Sequence, residues 1–298
     1  MVATPTTLFL QYAEAVRGDI DAALEQCLQL DEDCPARLRA AMRYSLLAKC
    51  KRLRPLLVLM AAEAVGGDRQ RALPAACAVE LVHTYSLIHD DLPAMDDDDL
   101  RRGQPSCHVR FGEALAILAG DALLAHAFAV LAGGVEPAAL AARCCAELAR
   151  AAGPSALVGG QVDDLDAPRL VRDCPQLERV HRRKTGAMFR VALRLGGMVG
   201  HAAAAELAVL DCYGEKLGLA FQIVDDLLDI GGAAAALGKT AGKDAVQGKL
   251  TFPAVLGSAE SRRRAAGLIG EARQALAPLG ERAVLLESLA EYVLERNR

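Results

Sequence analysis

The feature that most constrains the fold is a short apolar stretch, residues 221–230, with polar side chains at helical spacing. Gln222, Asp225, Asp226 and Asp229 occupy positions i, i+3, i+4 and i+7, which form one narrow stripe on a helix. All other positions of the stretch are apolar, so the rest of the helix surface requires burial. The sequence therefore predicts a buried helix whose carboxylates face an internal cavity.

Buried carboxylates that lie side by side repel one another unless a cation lies between them. Oxygen ligands suit hard divalent cations, and Mg²⁺ is the usual choice when phosphate groups complete the coordination shell. The alternative interpretation is a solvated acidic patch, but the flanking residues leave no polar face on which to expose it. We therefore expect Asp225, Asp226 and Asp229 to be metal ligands.

A second acidic stretch, residues 83–99, ends another apolar helical segment. Asp90 and Asp96 are six residues apart, which does not place them on one face of a regular helix. Pro93 cannot continue a regular helix. If Pro93 and Ala94 are looped out, Asp90 and Asp96 return to an effective i, i+4 relation. Two equivalent carboxylate sets on two apolar helices predict two facing sets of metal ligands at the mouth of a cavity.

Gly and Pro residues divide the remaining chain into helical segments with no linker between them. Ala and Leu are abundant while Ile and Thr are scarce, which favours helices over strands. The fold class expected is an all-α bundle, with residues 1–298 as a single domain. The predicted helices are 6–30, 36–50, 54–65, 72–91, 113–132, 137–152, 155–165, 175–200, 204–230, 251–257, 262–276 and 281–296.

The charge balance limits the partners of the protein. The formal net charge of −4 provides no basic field for a nucleic-acid backbone, so nucleic acid is not expected as a partner. Asp121 and His126 interrupt the apolar stretch 114–134, which favours a bundle helix over membrane insertion. Nine cysteines, an odd number, and an amino terminus unlike a signal peptide indicate free thiols and a cytoplasmic location.

Basic residues cluster in sequence around both acidic stretches. Arg binds phosphate oxygens with a planar fork of donors and Lys acts as a point charge, so the pattern predicts that two diphosphate groups are held. Thr185 and Gln222 add neutral hydrogen bonds. The basic candidates are Lys51, Arg52, Arg54, Arg101, Arg102, Lys184, Lys239, Lys243 and Lys249.

These motifs together resemble the trans-isoprenyl diphosphate synthases of the polyprenyl synthetase family, and are most similar to the bacterial type of farnesyl diphosphate synthase. The resemblance extends over essentially the whole chain. It is carried by KRLRP at 51–55, HDDLPAMDDDDLRRG at 89–103, GGQVDDLD at 159–166, KTG at 184–186, FQIVDDLLD at 221–229 and the GK segments within 238–249.

The resemblance implies an isoprenoid-synthase-type bundle around a deep central cavity, a homodimer, and three Mg²⁺ ions per site, with Mn²⁺ as a possible substitute. The implied metal ligands are Asp90, Asp91, Asp96, Asp225, Asp226 and Asp229. The implied contacts of the allylic diphosphate are Arg101, Lys184, Thr185, Gln222, Lys239 and Lys249. The implied contacts of isopentenyl diphosphate are Lys51, Arg54, His83 and Arg102. The residues expected to carry catalysis are Asp90, Asp91, Asp96, Arg101, Lys184, Gln222 and Asp225.

The expected activity is condensation of isopentenyl diphosphate with dimethylallyl and geranyl diphosphate to give (E,E)-farnesyl diphosphate. Tyr85 lies five residues before Asp90, about 7.5 Å along a helix, where its ring would stop the growing chain beside the small Ser86. One departure from the family pattern is that Lys49 and Cys50 replace the usual Gly-Gly pair before KRLRP.

Other activities compatible with these motifs are a geranyl or geranylgeranyl diphosphate synthase, a class I terpene cyclase, a non-catalytic partner subunit and a helical cation-binding protein. The second complete Asp-Asp-x-x-Asp motif favours chain elongation over cyclisation.

Overall fold

The computed structural model describes residues 4–170, 173–230 and 250–296, and these residues are almost entirely helical. The expectation of an all-α fold is confirmed. The first half contains α1 (Pro5–Cys27), α2 (Ala36–Leu46), α3 (Leu53–Ala64), α4 (Arg69–Asp90), α5 (Cys107–Phe111), α6 (Glu113–Gly134) and α7 (Ala138–Ala152). The second half contains α8 (Leu157–Leu170), α9 (Cys174–His181), a π-helical segment (Arg182–Gly186), α10 (Ala187–Val199), α11 (Ala204–Ile230), α12 (Phe252–Leu256), α13 (Ser258–Ala275), a 3₁₀ segment (Ala277–Ala283) and α14 (Val284–Glu295).

Several local features differ from the sequence prediction, among them the short helix α5, which no predicted helix covers. The predicted helix 36–50 ends at Leu46, whose carbonyl accepts a 2.7 Å hydrogen bond from Arg52 Nη1, and Arg52 itself has a left-handed backbone with φ of 50°. The predicted helix 175–200 is interrupted by the π-helical segment. A two-stranded antiparallel hairpin, β1 (Leu100–Arg101) with β2 (Gln104–Pro105), follows the first acidic stretch and was not predicted.

Helix α4 lies at the centre of the bundle and packs against α3, α6 and α10. Its packing surfaces are rich in small residues, such as Ala72, Ala75 and Ala76, which allow neighbouring helices to approach closely. At the far end of α6, a side chain on Gly134 would come within 2.6 Å of Pro74 in α4. Because α4 is buried on nearly all sides, the polar side chains near its carboxyl end face the interior of the bundle.

Helix α6 is apolar on its inner and its outer side. It is the one helix of the described ranges that is long and apolar enough to cross a membrane, with a mean hydropathy of 2.0 in its most apolar window, of which 33% is buried. One side packs on α4, while Ile117 and Leu118 on the other side are 43% and 55% exposed. The expectation that this stretch is a bundle helix is met on one face, and the outer face is an exposed apolar surface.

Helices α3 and α10 meet at a backbone contact. A Cβ atom at Gly196 of α10 would lie 2.2 Å from the carbonyl oxygen of Val58 and 2.8 Å from Cβ of Ala61. The carbonyl cannot rotate away, because it belongs to α3. This contact fixes the spacing of two helices that pack on α4.

We expect Gly196→Ala to lower the free energy of unfolding by about 3 kcal/mol, because the added methyl group overpacks a backbone contact. The matched control is Gly267→Ala in α13, where an added Cβ meets no atom within 4 Å. That substitution is expected to raise stability by about 0.5–1 kcal/mol, because alanine favours the helix. Thermal or urea denaturation of both variants measures the difference, and equal stabilities would contradict the close α3–α10 contact.

Candidate active site

The first aspartate motif lies where α4 ends. Asp90 is the last residue of α4, and its carbonyl accepts a 2.8 Å hydrogen bond from the backbone N–H of Asp96. An α-helix would make this bond if two residues were removed between them. Pro93 and Ala94 are both exposed on the outside of this turn. The prediction that these two residues are looped out is therefore confirmed, and Asp90 and Asp96 lie on adjacent turns.

Asp91 has a different environment from Asp90 and Asp96. Its side chain is buried and accepts two hydrogen bonds from Arg101 Nε, at 2.9 Å to Oδ1 and 3.1 Å to Oδ2. Burial raises the pKa of Asp91, and the guanidinium of Arg101 opposes that shift. The sequence assigned Asp91 to a metal ion and Arg101 to a diphosphate, whereas the structure joins the two side chains to each other.

The second aspartate motif repeats this division on α11. Asp226 is buried, and its carboxylate accepts hydrogen bonds from Gln222 Nε2 at 3.0 Å and from the backbone N–H of Phe252 at 2.9 Å. Asp225 and Asp229 are partly exposed. In both motifs, the second aspartate is buried, while the first and the last are partly exposed.

The π-helical segment connects the two motifs. Lys184 Nζ lies 2.8 Å from Asp164 Oδ2 and 4.0 Å from Asp90 Oδ2, and Thr185 donates a 2.9 Å hydrogen bond to Gln222 Oε1. Burial would lower the pKa of Lys184, but the carboxylates of Asp90, Asp164 and Asp96 outweigh it and raise that pKa. Lys184 is therefore a permanently charged ammonium beside the first motif.

A close backbone approach holds the π-helical segment in place. A Cβ atom at Gly160 of α8 would lie only 2.4 Å from the backbone nitrogen of Lys184. Asp164 lies one helical turn after Gly160, which places its carboxylate beside the ammonium of Lys184. Helix α8 thus positions Lys184 through both its backbone and its side chain.

Arg54 and His83, two of the residues expected to bind isopentenyl diphosphate, contact each other in the structure. Arg54 Nη1 donates a 3.0 Å hydrogen bond to His83 Nε2, because arginine has no acceptor and the histidine nitrogen must supply the lone pair. Burial lowers the pKa of Arg54 to about 10, which leaves it charged at neutral pH. The Nε atom of Arg54 is buried and has no hydrogen-bond partner among the described residues.

The other two members of this set are held by different elements. Arg102, in the hairpin after the first motif, donates to the carbonyl of Ser45 at 3.3 Å and to Glu80 Oε1 at 3.5 Å. The exposed Lys51 places its ammonium 5.6 Å from the centre of the Tyr292 ring. These side chains belong to three separate segments, so the tertiary fold is required to form the set.

Cys50, which replaces a glycine of the family pattern, contacts two other segments of the chain. Its carbonyl accepts a 2.9 Å hydrogen bond from Arg17, and its thiol lies 3.7 Å from Glu80 Oε1. Burial raises the pKa of the Cys50 thiol, and the negative charge of Glu80 adds to that shift. The thiol is therefore protonated and acts as a weak donor to Glu80.

Tyr85, the residue expected to limit product length, lies within the bundle. Its side chain is 6% exposed and its ring meets the His89 ring edge-on at 5.6 Å. Ser86 donates to the carbonyl of His83 at 2.9 Å, so its hydroxyl turns back onto α4. The Nε2 atom of His89 lies 3.0 Å from the carbonyl oxygen of Ile117 in α6.

Three residues of the site were not assigned a role from the sequence. Asp164 holds Lys184, and Glu80 contacts Arg102. Arg296 binds Asp225 Oδ1 at 2.6 Å and lies 3.8 Å from the centre of the Phe221 ring. Asp164 and Glu80 lie in or beside sequence motifs, so the sequence could have identified them, whereas Arg296 lies near no motif. Lys239 and Lys249, which the sequence assigned to the allylic diphosphate, lie outside the described residues.

The exposed carboxylates of the two motifs suit a hard divalent cation. Among residues 4–170, 173–230 and 250–296, no three acidic, histidine or cysteine side chains are close enough together to hold a metal ion by themselves. Each motif instead offers a pair, Asp90 with Asp96 and Asp225 with Asp229. Mg²⁺ is characteristically bound by one or two carboxylates together with substrate phosphates, so these pairs fit Mg²⁺ when a diphosphate completes the shell.

The chain is similar to known proteins over most of its length. The sequence matches the family model described as Polyprenyl synthetase over residues 35–279. It is 48% identical over 264 residues to farnesyl diphosphate synthase of Escherichia coli (strain K12), which covers 86% of this chain and 88% of the relative. It is also 45% identical over 296 residues to chloroplastic geranylgeranyl pyrophosphate synthase 11 of Arabidopsis thaliana, which covers 97% of this chain and 82% of the relative.

Among solved structures, an apo FPP/GFPP synthase from Zymomonas mobilis superposes with a TM-score of 0.87 and 38% sequence identity, and the match covers 97% of this chain and 99% of that chain. Sequence and fold therefore agree over nearly the whole length of the protein. The chain belongs to the polyprenyl synthetase family, has the all-α isoprenoid synthase fold, and is a chain-elongating prenyltransferase.

Proposed function

We propose that this protein condenses isopentenyl diphosphate with dimethylallyl and then geranyl diphosphate, and that it releases (E,E)-farnesyl diphosphate and diphosphate. The observation that carries the proposal is the presence of two separate cation sets. Lys184 and Arg101 lie at the first aspartate motif, while Arg54 and Arg102, with His83 bound to Arg54, form a second set. Two diphosphates require two such sets, whereas a terpene cyclase acts on a single diphosphate.

The allylic diphosphate belongs beside the aspartate motifs in this proposal. Three Mg²⁺ ions, or Mn²⁺ in their place, would be held by Asp90, Asp96, Asp225 and Asp229 together with the phosphates, and would supply charge that stabilises the departing diphosphate. Asp91 and Asp226, which are buried and bound by protein donors, support their neighbours instead of offering open oxygens. The remaining proposed contacts of this diphosphate are Arg101, Lys184, Thr185, Gln222, Lys239 and Lys249.

The homoallylic substrate, isopentenyl diphosphate, belongs at the second cation set. The buried Nε–H of Arg54, which has no hydrogen-bond partner within the described ranges, offers a donor to a phosphate oxygen. His83 orients Arg54, and Lys51 is exposed on the outer side, where it can close over a bound phosphate. The substrate contacts in this proposal are Lys51, Arg54, His83 and Arg102.

The reaction needs no protein nucleophile. As the allylic carbon–oxygen bond breaks, the leaving diphosphate gains charge, which the fixed cations Lys184 and Arg101 stabilise. The double bond of isopentenyl diphosphate then forms a carbon–carbon bond with the cationic allylic carbon. The carbocation left on the isopentenyl unit loses an adjacent proton to the released diphosphate, and this loss forms the double bond of the product. The apolar walls around Tyr85 exclude water from the cation.

We further propose a cytoplasmic homodimer that is one domain over residues 1–298 and neither inserts into a membrane nor binds nucleic acid. The outer face of α6, with Ile117 and Leu118 exposed, is a suitable surface for a second copy of the chain. A net charge of −4 argues against a nucleic-acid partner.

Incubation of the purified protein with Mg²⁺, labelled isopentenyl diphosphate and either dimethylallyl or geranyl diphosphate tests the proposal. We expect a fifteen-carbon product from both allylic substrates, separated by chromatography. Removal of divalent cations with EDTA should reduce turnover to background, and excess Mg²⁺ or Mn²⁺ should restore it. A complete absence of condensation would leave a cyclase or a non-catalytic partner subunit.

A twenty-carbon product is the second candidate. The chain is 45% identical to a geranylgeranyl pyrophosphate synthase and 48% identical to a farnesyl diphosphate synthase, so relatedness alone favours neither length. The position of Tyr85 below the first motif favours fifteen carbons. A ten- or twenty-carbon product in the same assay would retain the chemistry and reject this length.

A further inference from the structure

Glu80 is a deeply buried carboxylate in the middle of α4, and its side chain is only 2% exposed. A carboxylate at such depth is stable only when it is paired with cations or hydrogen-bond donors. One oxygen, Oε1, lies 3.0 Å from Arg52 Nη1 and 3.5 Å from Arg102 Nη2. The thiol of Cys50 lies 3.7 Å from the same oxygen. Glu80 therefore connects three segments of the chain at one point.

The two arginines on Glu80 differ in how firmly they are held. Arg52 is 4% exposed, and it also donates to the carbonyl of Leu46 at 2.7 Å and to Asp21 at 3.0 Å. These contacts fix Arg52 to α1 and to the end of α2, and so fix the position of Glu80. Within the described part of the chain, Arg102 donates hydrogen bonds to the carbonyl of Ser45 at 3.3 Å and to Glu80 at 3.5 Å, and both are long.

Arg54, the third arginine of this region, is bound by His83, which lies one turn after Glu80 on α4. His83 lies three residues after Glu80, on the same face of α4, and accepts the hydrogen bond from Arg54. Burial lowers the pKa of Arg54, the charge of Glu80 opposes that shift, and the charge of Arg102 adds to it. The three charged groups are thus close enough to influence one another.

We propose that Glu80 is a positioning residue for the isopentenyl diphosphate site: it fixes Arg102 through the Arg52 pair and offsets the repulsion among the arginines of this site. The proposal rests on the function proposed above, because it assigns Arg102 to that substrate. Glu80 does not contact the substrate itself, since its oxygen faces the arginines from the interior of the bundle.

Steady-state kinetics of Glu80→Gln test this role. The amide keeps the shape of the side chain but removes the charge that holds both guanidinium groups. We expect the KM for isopentenyl diphosphate to rise about 10- to 100-fold, with the KM for geranyl diphosphate changed less than about 3-fold, as fits the loss of a hydrogen bond between charged groups. Glu80→Asp, which keeps the charge on a shorter side chain, should give an intermediate KM.

Glu147→Gln is the matched control. Glu147 also binds two arginines, Arg150 and Arg194, each at 3.2 Å, but it joins α7 to α10 and neither arginine is assigned to a substrate. The control should leave both KM values within about 2-fold of wild type, since it removes the charge from a carboxylate that binds no substrate-assigned arginine. Thermal denaturation of all variants separates loss of folded protein, which would lower kcat alone, from a change in substrate affinity.

Two outcomes would overturn the inference while wild-type condensation remains intact. An unchanged KM for isopentenyl diphosphate in Glu80→Gln would show that Arg102 does not depend on Glu80. A lowered KM would show that the net positive charge of the cluster, and not its geometry, governs binding. Failure of the wild-type protein to condense the two substrates would instead reject the proposed function. Calorimetry with isopentenyl diphosphate alone then measures whether Glu80→Gln changes binding without turnover.

Discussion

Asp225→Ala is expected to reduce turnover at least about 10³-fold while the protein remains folded, because Asp225 is a metal ligand in the proposed function and its loss would remove several kcal/mol of transition-state stabilisation. Asp225 is partly exposed and faces the site, and its partner in the structure is Arg296. Arg296 retains its contacts with the carbonyl and the ring of Phe221 when that carboxylate is removed. Little stability should therefore be lost.

The control for this prediction lies on the same helix. Asp211 pairs with Arg194 at the opposite end of α11, away from the aspartate motif, so Asp211→Ala should retain turnover close to wild type. Initial rates at saturating substrates and a range of Mg²⁺ concentrations distinguish the two variants. Wild-type rates in Asp225→Ala would show that Asp225 is not a ligand of a catalytic metal ion.

Tyr85→Ala is expected to change the main product from fifteen to twenty carbons. The ring lies about 7.5 Å below Asp90 along α4, and its removal opens the space in which the next isoprene unit would lie. The side chain is 6% exposed, so its truncation also costs about 3 kcal/mol of stability. Chain lengths are read by chromatography at a temperature where the variant is folded.

Tyr85→Phe is the matched variant for this experiment, because it keeps the ring and removes only the hydroxyl. It should retain the fifteen-carbon product. Burial raises the pKa of Tyr85 to about 12, so the hydroxyl is neutral at assay pH and its loss changes no charge. If Tyr85→Ala turned over with an unchanged product distribution, the limit on chain length would lie elsewhere in the cavity.

The sequence alone was sufficient to predict the features that depend on residue spacing along one helix. The spacing of Asp225, Asp226 and Asp229 identified the stripe on α11, because residues on one helical face need no knowledge of their neighbours. The looping out of Pro93 and Ala94 followed from the same rule, since only that arrangement aligns Asp90 with Asp96. The helix positions were predicted for the same reason, with errors mainly at their ends.

Contacts between residues of different segments could not be predicted from helical spacing. The pairing of Asp91 with Arg101 arises from the hairpin, which is only two residues long in each strand and carries no alternating pattern. Arg296 reaches Asp225 across 71 residues. The role of Glu80 depends on arginines from two other segments. In each case the sequence gives the residue type, but the tertiary fold determines which side chain it contacts.

The π-helical segment lies between α9 and α10, which pack against different parts of the bundle. A wider turn shifts the rotational phase of the helix that follows it. Helix α9 uses Glu178 to bind Arg264 of α13, while α10 presents Phe189 and Leu193 to the core. Lys184 and Thr185, in the wider turn, belong to neither packing face. We therefore expect that substitutions of Lys184 and Thr185 leave the core packing of α9 and α10 unchanged.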